Sequence, residues 1–316
     1  MNGLVTRLKA NARDYGIVFT AIALVIILST TTTTFFTQQN LVNLFDQMVV
    51  VGILACAVTI AMIAGVIDLS MSAIAAVSAI IGATAMNAFG IGPGVVVAIL
   101  VGVALGAFNG LAVTYGKVNA FIATLATGMM FRGFAVVITG GQIVAINNPA
   151  IADLSKRGPI LNITWASWVL LLVVLITGIM LWRSVYGRTL YAVGGNPAAA
   201  RISGISVGWA QTSAFMISGG LSAIAGVVLA SRSVSAQPSM GTGLEFTAIA
   251  AAVIGGVSFA GGQGAIWRAI LGVFLLQMIA NGFNLLGLPT TFQQVVQGLL
   301  ILVAVAVDQL IRRRKS

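Results

Sequence analysis

The sequence predicts an all-α polytopic membrane protein of about ten transmembrane helices, some short, broken or re-entrant, with both termini cytoplasmic. Three observations carry this. Of 316 residues, 59% are hydrophobic and only 7% charged, against roughly 25% charged in ordinary soluble domains. Apolar stretches near the ~20 residues needed to cross a bilayer recur along nearly the whole length. Lys and Arg gather at the ends of those stretches and divide unequally between alternate loops.

The first apolar stretch, 17–34, follows Arg7, Lys9 and Arg13 as the core of a signal peptide would. Thr30–Thr34 and Phe35-Phe36 stand where a small-residue cleavage site would lie, so it reads as a retained span. Further spans are expected at 47–66, 70–88, 93–115, 119–139, 165–183, 206–230, 245–258, 268–286 and 290–308. The span at 245–258 is too short to cross upright and reads as broken or re-entrant; the 64–72 junction is similarly irregular. Gly102, Gly106 and Gly110 share one helical face, allowing close approach of a neighbouring backbone, within the subunit or across an interface. A short echo links Ala64-Gly65-Val66 with Gly255-Gly256-Val257, each closing a span, as internal repeats of transporters do.

Orientation follows from counting. With the amino terminus inside, the inner segments hold twelve basic residues: Arg7, Lys9, Arg13, Lys117, Arg183, Arg188, Arg201, Arg268, Arg312, Arg313, Arg314 and Lys315. The outer segments hold three, Lys156, Arg157 and Arg232. The net charge of +10 therefore sets topology and does not point to nucleic acid, since no basic run is interleaved with aromatics. There is no histidine and one cysteine, Cys56, inside an apolar run. His-based catalysis, disulfides and His/Cys metal sites are thereby excluded, and neither enzyme activity, cofactor nor metal is expected. No outer loop is long enough for a ligand-capturing domain, and no inner one for a nucleotide-binding domain.

Between the spans ending at 183 and starting at 206 lies the largest polar insert, 184–205. Tyr186-Gly187-Arg188 leaves the membrane, Gly194-Gly195-Asn196-Pro197 is expected to turn, and Ala198–Ile202 to form a short helix ended by Ser203-Gly204. Such a helix, lying across the membrane surface, suits either docking into a partner's groove or contact with lipid headgroups. The Gly-rich runs at 194–195 and 255–264 lack the Lys-Ser/Thr end of a phosphate loop, so ATP hydrolysis is not expected on this chain.

Ionisable residues at membrane depth are costly and mark candidate sites. Asp68 interrupts an apolar run just before Ser70 and Ser72, where it would either stabilise a helix start or contact solute at a gate. Arg132 lies inside the span at 119–139 and needs a polar cavity or a carboxylate, with Asp68 as the first partner to test. Arg232 and Glu245 flank an outer segment containing Gln237–Gly243, expected to be a solvated loop. The alternative function at this stage is a secondary transporter that binds H⁺ or Na⁺ at Asp68.

Four sequence blocks resemble the permease subunits of bacterial ribose-type (monosaccharide) ABC importers, a binding-protein-dependent transport family. They are Gly65-Val66-Ile67-Asp68-Leu69-Ser70, Thr124–Gly128 with Arg132-Gly133, Gly187-Arg188 to Gly204, and Gly255-Gly256-Val257-Ser258 with Gly261–Gly264. The family's Gly-Gly-Ile-Asp-Leu-Ser-Val-Gly becomes Ala64-Gly65-Val66-Ile67-Asp68-Leu69-Ser70-Met71-Ser72, with an extra residue before the aspartate and the last glycine replaced. The resemblance implies one transmembrane permease domain, 1–316, in the bacterial inner membrane. It would pair with a second permease copy, rest on ABC ATPase subunits, and receive a sugar or related neutral polyol from a periplasmic binding protein. Segment 184–205 would be its coupling element, through Gly187, Arg188, Tyr191, Gly194, Gly195, Asn196, Arg201 and Gly204. Asp68, Ser70, Thr124, Thr127, Arg132 and Ser258 would line the pore or gate.

Overall fold

The computed structural model describes residues 2–158 and 162–289, together with 291–293, 295–296, 298–299 and 302. The expected span at 290–308 and the basic run Arg312–Lys315 fall wholly or largely outside the described residues. Eleven α-helices occur among those that are described: α1 (Asn2–Thr31), α2 (Gln38–Ile63), α3 (Met71–Phe89), α4 (Ile91–Thr114), α5 (Ala120–Thr139), α6 (Trp165–Arg183), α7 (Val185–Gly195), α8 (Pro197–Ile202), α9 (Val207–Ser233), α10 (Leu244–Ile254) and α11 (Ile266–Leu285). A 3-10 helix covers Pro149–Ser155, and two strands, β1 (Val144–Ala145) and β2 (Ser235–Ala236), pair antiparallel.

Among the described residues, seven helices are long and apolar enough to cross a membrane: α2 to α6, α9 and α11. Ile17–Thr31 within α1, and α10, are shorter apolar helices. The boundaries follow from capping. The side chains of Asn119, Thr164, Ser184 and Asn196 accept from backbone N–H groups at the starts of α5, α6, α7 and α8. Thr37 does the same for α2, which begins nine residues before the expected 47. Its first turns carry Gln38, Gln39, Asn40, Asn43 and Asp46, so hydropathy hides them while helix geometry does not.

The core is built from α2, α3 and α9, which are buried over most of their length, whereas α4, α5 and α6 expose broad apolar faces. The most extensive packing joins α4 to α9. A methyl group at Gly110 would come within 2.7 Å of Thr212 Cα, and at Gly102 and Gly106 it would strike the carbonyl oxygens of Gly219 and Phe215. The glycine stripe is therefore a packing seam inside this subunit. Van der Waals contact between close backbones is what holds helices together where lipid removes the hydrophobic drive.

Polar pairs pin the periphery. Asn40 and Asn281 exchange amide hydrogen bonds of 3.1 and 2.8 Å, tying α2 to α11. Asp46 Oδ1 accepts from the hydroxyls of Thr164 and Ser167, both at 2.8 Å. Arg232 donates to the Asp46 carbonyl at 2.6 Å, which makes it a tie between α9 and α2.

The insert 184–205 departs from expectation. Residues 185–195 form α7, an amphipathic helix that includes Gly194 and Gly195, so the expected four-residue turn shrinks to Asn196 alone. Ser184 caps the start of α7, and close contacts at Gly194 hold its end, which outweighs the ~1 kcal/mol per glycine that disfavours a helix. Gly204, at φ +81°, ends α8 as expected.

Candidate functional site

Two helices break in the same way. At the end of α2, Ala64 N, Gly65 N and Val66 N donate to Ile60, Met62 and Ala61 carbonyls at 3.1, 2.9 and 3.0 Å. At the end of α10, Gly255 N, Gly256 N and Val257 N donate to Ala251, Val253 and Ala252 carbonyls at 2.9, 2.8 and 2.9 Å. Gly65 and Gly256 take φ of +78° and +82°, the left-handed conformation that closes a helix of this type. The three-residue echo in the sequence is thus a repeated structural device. After each break the chain runs irregularly, 64–70 and 255–265, before α3 and α11 begin.

Asp68 sits in the first break, fully buried. Its Oδ1 accepts from Ser70 N at 3.0 Å and from the Ser70 hydroxyl at 2.6 Å; its Oδ2 accepts from Ser218 Oγ of α9 at 2.7 Å. Asn109 of α4 donates to Ser70 Oγ at 2.7 Å, and Thr124 of α5 to the Ile67 carbonyl at 3.2 Å. Thr127, one turn further, donates to the Thr124 carbonyl at 3.3 Å. The carboxylate thus ties the break to α9 directly and to α4 through Ser70, while the neighbouring Ile67 carbonyl holds α5. Ser70 caps α3 by position only, since its hydroxyl is committed to Asp68 and makes no bond to a helix N–H. The buried Asn109 Oδ1 has no hydrogen-bond partner among the described residues.

Arg132 does not pair with Asp68. Its Nη1 donates to the carbonyls of Pro238 and Met240, at 2.5 and 2.9 Å, and its Nη2 to Ser72 Oγ at 3.1 Å. Both Asp68 oxygens are engaged by Ser70 and Ser218, whereas the Pro238 and Met240 carbonyls of the 237–243 segment stand within reach of Arg132 Nη1. That segment is consequently no solvated loop: it folds back against α3 and α5 and leads into α10. Glu245, at the start of α10, has one carboxylate oxygen buried with no hydrogen-bond partner among the described residues, and its charge reaches Arg132.

The insert meets both breaks. A Cβ at Gly194 would overlap the Ile63 carbonyl oxygen and come within 2.6 Å of Gly262 N. At Gly261 it would lie 2.7 Å from Gly194 O and 2.8 Å from Gly65 Cα, and at Gly262 it would press on Gly195. Through this gap Gly262 N donates to Ile63 O at 3.0 Å. Three backbone segments, 63–65, 194–195 and 261–262, thus cross at van der Waals distance. Tyr191 adds a bond from its hydroxyl to Gly264 O at 2.8 Å. Burial pushes the Tyr191 phenol up, with Arg268 offsetting part of that, which keeps the donated proton in place.

Of the other expected coupling residues, Gly187 lies against the end of α6, where a Cβ would strike Leu181 and Met180 carbonyls. Asn196 caps α8 through a 3.0 Å bond from Ala199 N. Arg188, Arg201 and Ile202 are exposed, Ile202 at 89%. Ser258 is buried in the second break, where its hydroxyl accepts from Ala260 N at 3.2 Å. The structure therefore gathers Asp68, Ser70, Thr124 and Thr127 in one cluster, sets Arg132 in a separate clamp and Tyr191, Gly194 and Gly195 at a glycine crossing, and leaves Gly187, Arg188, Asn196, Arg201 and Gly204 outside these three places. Sequence reasoning missed Ser218, Asn109 and Gly262. Asn109 was detectable as a lone amide in an apolar span and Gly262 as part of the Gly-rich run 255–264; Ser218 carries no signal until the helices are assembled. Among the described residues, no three His, Cys, Asp or Glu side chains group as a metal site.

Comparison with known proteins adds the following. A protein family described as branched-chain amino acid transport system / permease component matches residues 40–305. The chain is 39% identical to the ribose import permease protein RbsC of Bacillus subtilis, covering 93% of this chain and 90% of the relative. It is 35% identical to the D-allose transport system permease protein AlsC of Escherichia coli, covering 98% and 100%. It is 32% identical to the L-arabinose ABC transporter permease protein AraH of Azospirillum brasilense, covering 95% and 88%. No solved structure matches significantly.

Proposed function

We propose, for a chain that belongs to the branched-chain amino acid transport system / permease component family, that it is the membrane subunit of an ATP-driven importer carrying a monosaccharide or related neutral polyol inward by alternating access. The kinship with ribose, allose and arabinose permeases supports a sugar as cargo. In this reading the protein works in the bacterial inner membrane as a pair of permeases. A periplasmic binding protein delivers solute, and separate subunits hydrolyse ATP.

The observation that carries the mechanism is the glycine crossing. A push on α7 and α8 from the cytoplasmic side bears directly on backbone at the end of α2 and at residues 261–262 between α10 and α11, with no flexible side chain between to absorb it. Both lie in the breaks where the path of the chain changes direction. Movement there is transmitted to α3 through the first break, which Asp68 ties to α9, Ser70 to α4 and the Ile67 carbonyl to α5. It reaches the 237–243 segment through α10, where Arg132 holds the loop against α3. Asp68 has both oxygens occupied by donors from this chain, which suits a fixed strut better than a site that takes up and releases H⁺ or Na⁺.

The experiment is reconstitution. Vesicles holding the permease, its ATPase and a loaded binding protein should accumulate sugar only with ATP inside the ATPase compartment. Uphill accumulation by the permease alone under a proton or sodium gradient would overturn the assignment.

A further inference from the structure

A groove of about 670 Å³ runs along the flank of α6, walled by Val174, Leu175, Ile179 and Trp182 on one side and by Tyr191 and Trp267 on the other. It is separate from the Asp68 cluster and the Arg132 clamp and shares only Tyr191 with the glycine crossing. Its walls are apolar along α6, about 12 Å from Val174 to Trp182, and continuous with that helix's exposed face, where Leu175 and Ile179 are 58% and 50% exposed. Its character changes at the α7 end. There Arg188 lines the groove, Arg183 stacks 4.0 Å above the Trp182 ring, and Trp182 and Trp267 are themselves exposed. Neither Arg183 nor Arg188 has an ion-pair partner among the described residues.

We infer that this groove binds one anionic phospholipid of the cytoplasmic leaflet, with its acyl chain along α6 and its phosphate between Arg183 and Arg188. The chemistry fits in three respects. An open apolar channel in contact with bilayer is filled by hydrocarbon, because leaving it to water costs in proportion to its apolar area. Tryptophans at one end place that end at the headgroup level. Two uncompensated guanidiniums there select a negative headgroup, which they bind by charge-assisted hydrogen bonds. The inference depends on α6 crossing the membrane with α7 at its cytoplasmic end, and not on the identity of the cargo.

The test is native mass spectrometry of the full-length protein with phosphatidylglycerol and phosphatidylcholine of identical acyl chains. Wild type should retain phosphatidylglycerol over phosphatidylcholine by more than tenfold, at about fivefold per arginine. The Arg183→Gln, Arg188→Gln pair should lose that preference. Gly178→Leu, whose new side chain meets open space in the groove wall, should lose retention of both lipids while melting no lower than wild type. Equal retention of the two lipids by wild type, or retention unchanged in both variants, would overturn the inference. So would displacement of the lipid by millimolar inorganic phosphate. A disulfide from Ile179→Cys to a cysteine placed within 303–316, formed in lipid-free detergent, would show that the chain's own end fills the groove and would equally overturn it.

Discussion

Gly194→Ala is the most direct perturbation of the proposed relay. One methyl group is added where the Ile63 carbonyl oxygen and Gly262 N already occupy the space. Overpacking of this kind costs ~1–3 kcal/mol, and forcing the strands apart stretches the 3.0 Å bond from Gly262 N to Ile63 O, worth ~1 kcal/mol. The better helix propensity of alanine returns ~1 kcal/mol. The net is a bias of about 1–3 kcal/mol against the closed crossing, and ~1.4 kcal/mol already changes a rate tenfold. The neighbouring change Gly195→Ala is the control, because its Cβ would meet only Gly262 Cα, at 4.0 Å. Sugar uptake by vesicles containing the complete importer should fall at least tenfold for Gly194→Ala and stay near wild type for Gly195→Ala. Binding of the ATPase subunit should survive in both, because the exposed surface of α7 and α8 is unchanged. Equal uptake by the two variants would refute the idea that force passes through this backbone contact.

Asp68→Asn keeps one carbonyl acceptor for Ser70 and should leave membrane insertion and melting within ~1 kcal/mol of wild type while slowing uptake; Asp68→Leu, which strands three buried donors, should destabilise by several kcal/mol in a melting assay. Arg132→Lys cannot reach two carbonyls and a hydroxyl at once, so amide exchange across residues 237–243 should accelerate at least tenfold. Asn40→Leu removes a reciprocal amide pair and leaves Asn281 unsatisfied, which should lower stability by about 1–3 kcal/mol in thermal unfolding without altering uptake per folded molecule. Reversing the charge at Arg201, exposed on α8 and outside the lipid groove, should weaken ATPase co-purification while leaving the glycine crossing intact; undiminished association would remove Arg201 from the docking surface.

Much of this protein was legible from its residues alone. Hydrophobicity located the seven long apolar helices of the described residues, α2 to α6, α9 and α11, because burying a polar backbone in lipid leaves helix as the available answer. The limits of α6 were read to the residue, where Thr164 and Arg183 mark both ends. Asp68 and Arg132 were found because charge inside an apolar run is expensive wherever the run ends up. Hydropathy and residue type misled where polar residues open a helix, as at Gln38–Asp46 in α2, and where glycine sits inside one, as at Gly194.

Pairing was beyond it. That Arg132 would hold the carbonyls of Pro238 and Met240 and not Asp68 depends on which helices meet, over a hundred residues apart. The same holds for Ser218 reaching Asp68, and for Gly65, Gly194 and Gly262 sharing one crossing. Composition and period report what each segment needs from its surroundings: apolar cover, a cap, a counter-charge. Only packing decides which neighbour supplies it, since many partners satisfy such a need equally well in isolation and a single arrangement satisfies all of them together.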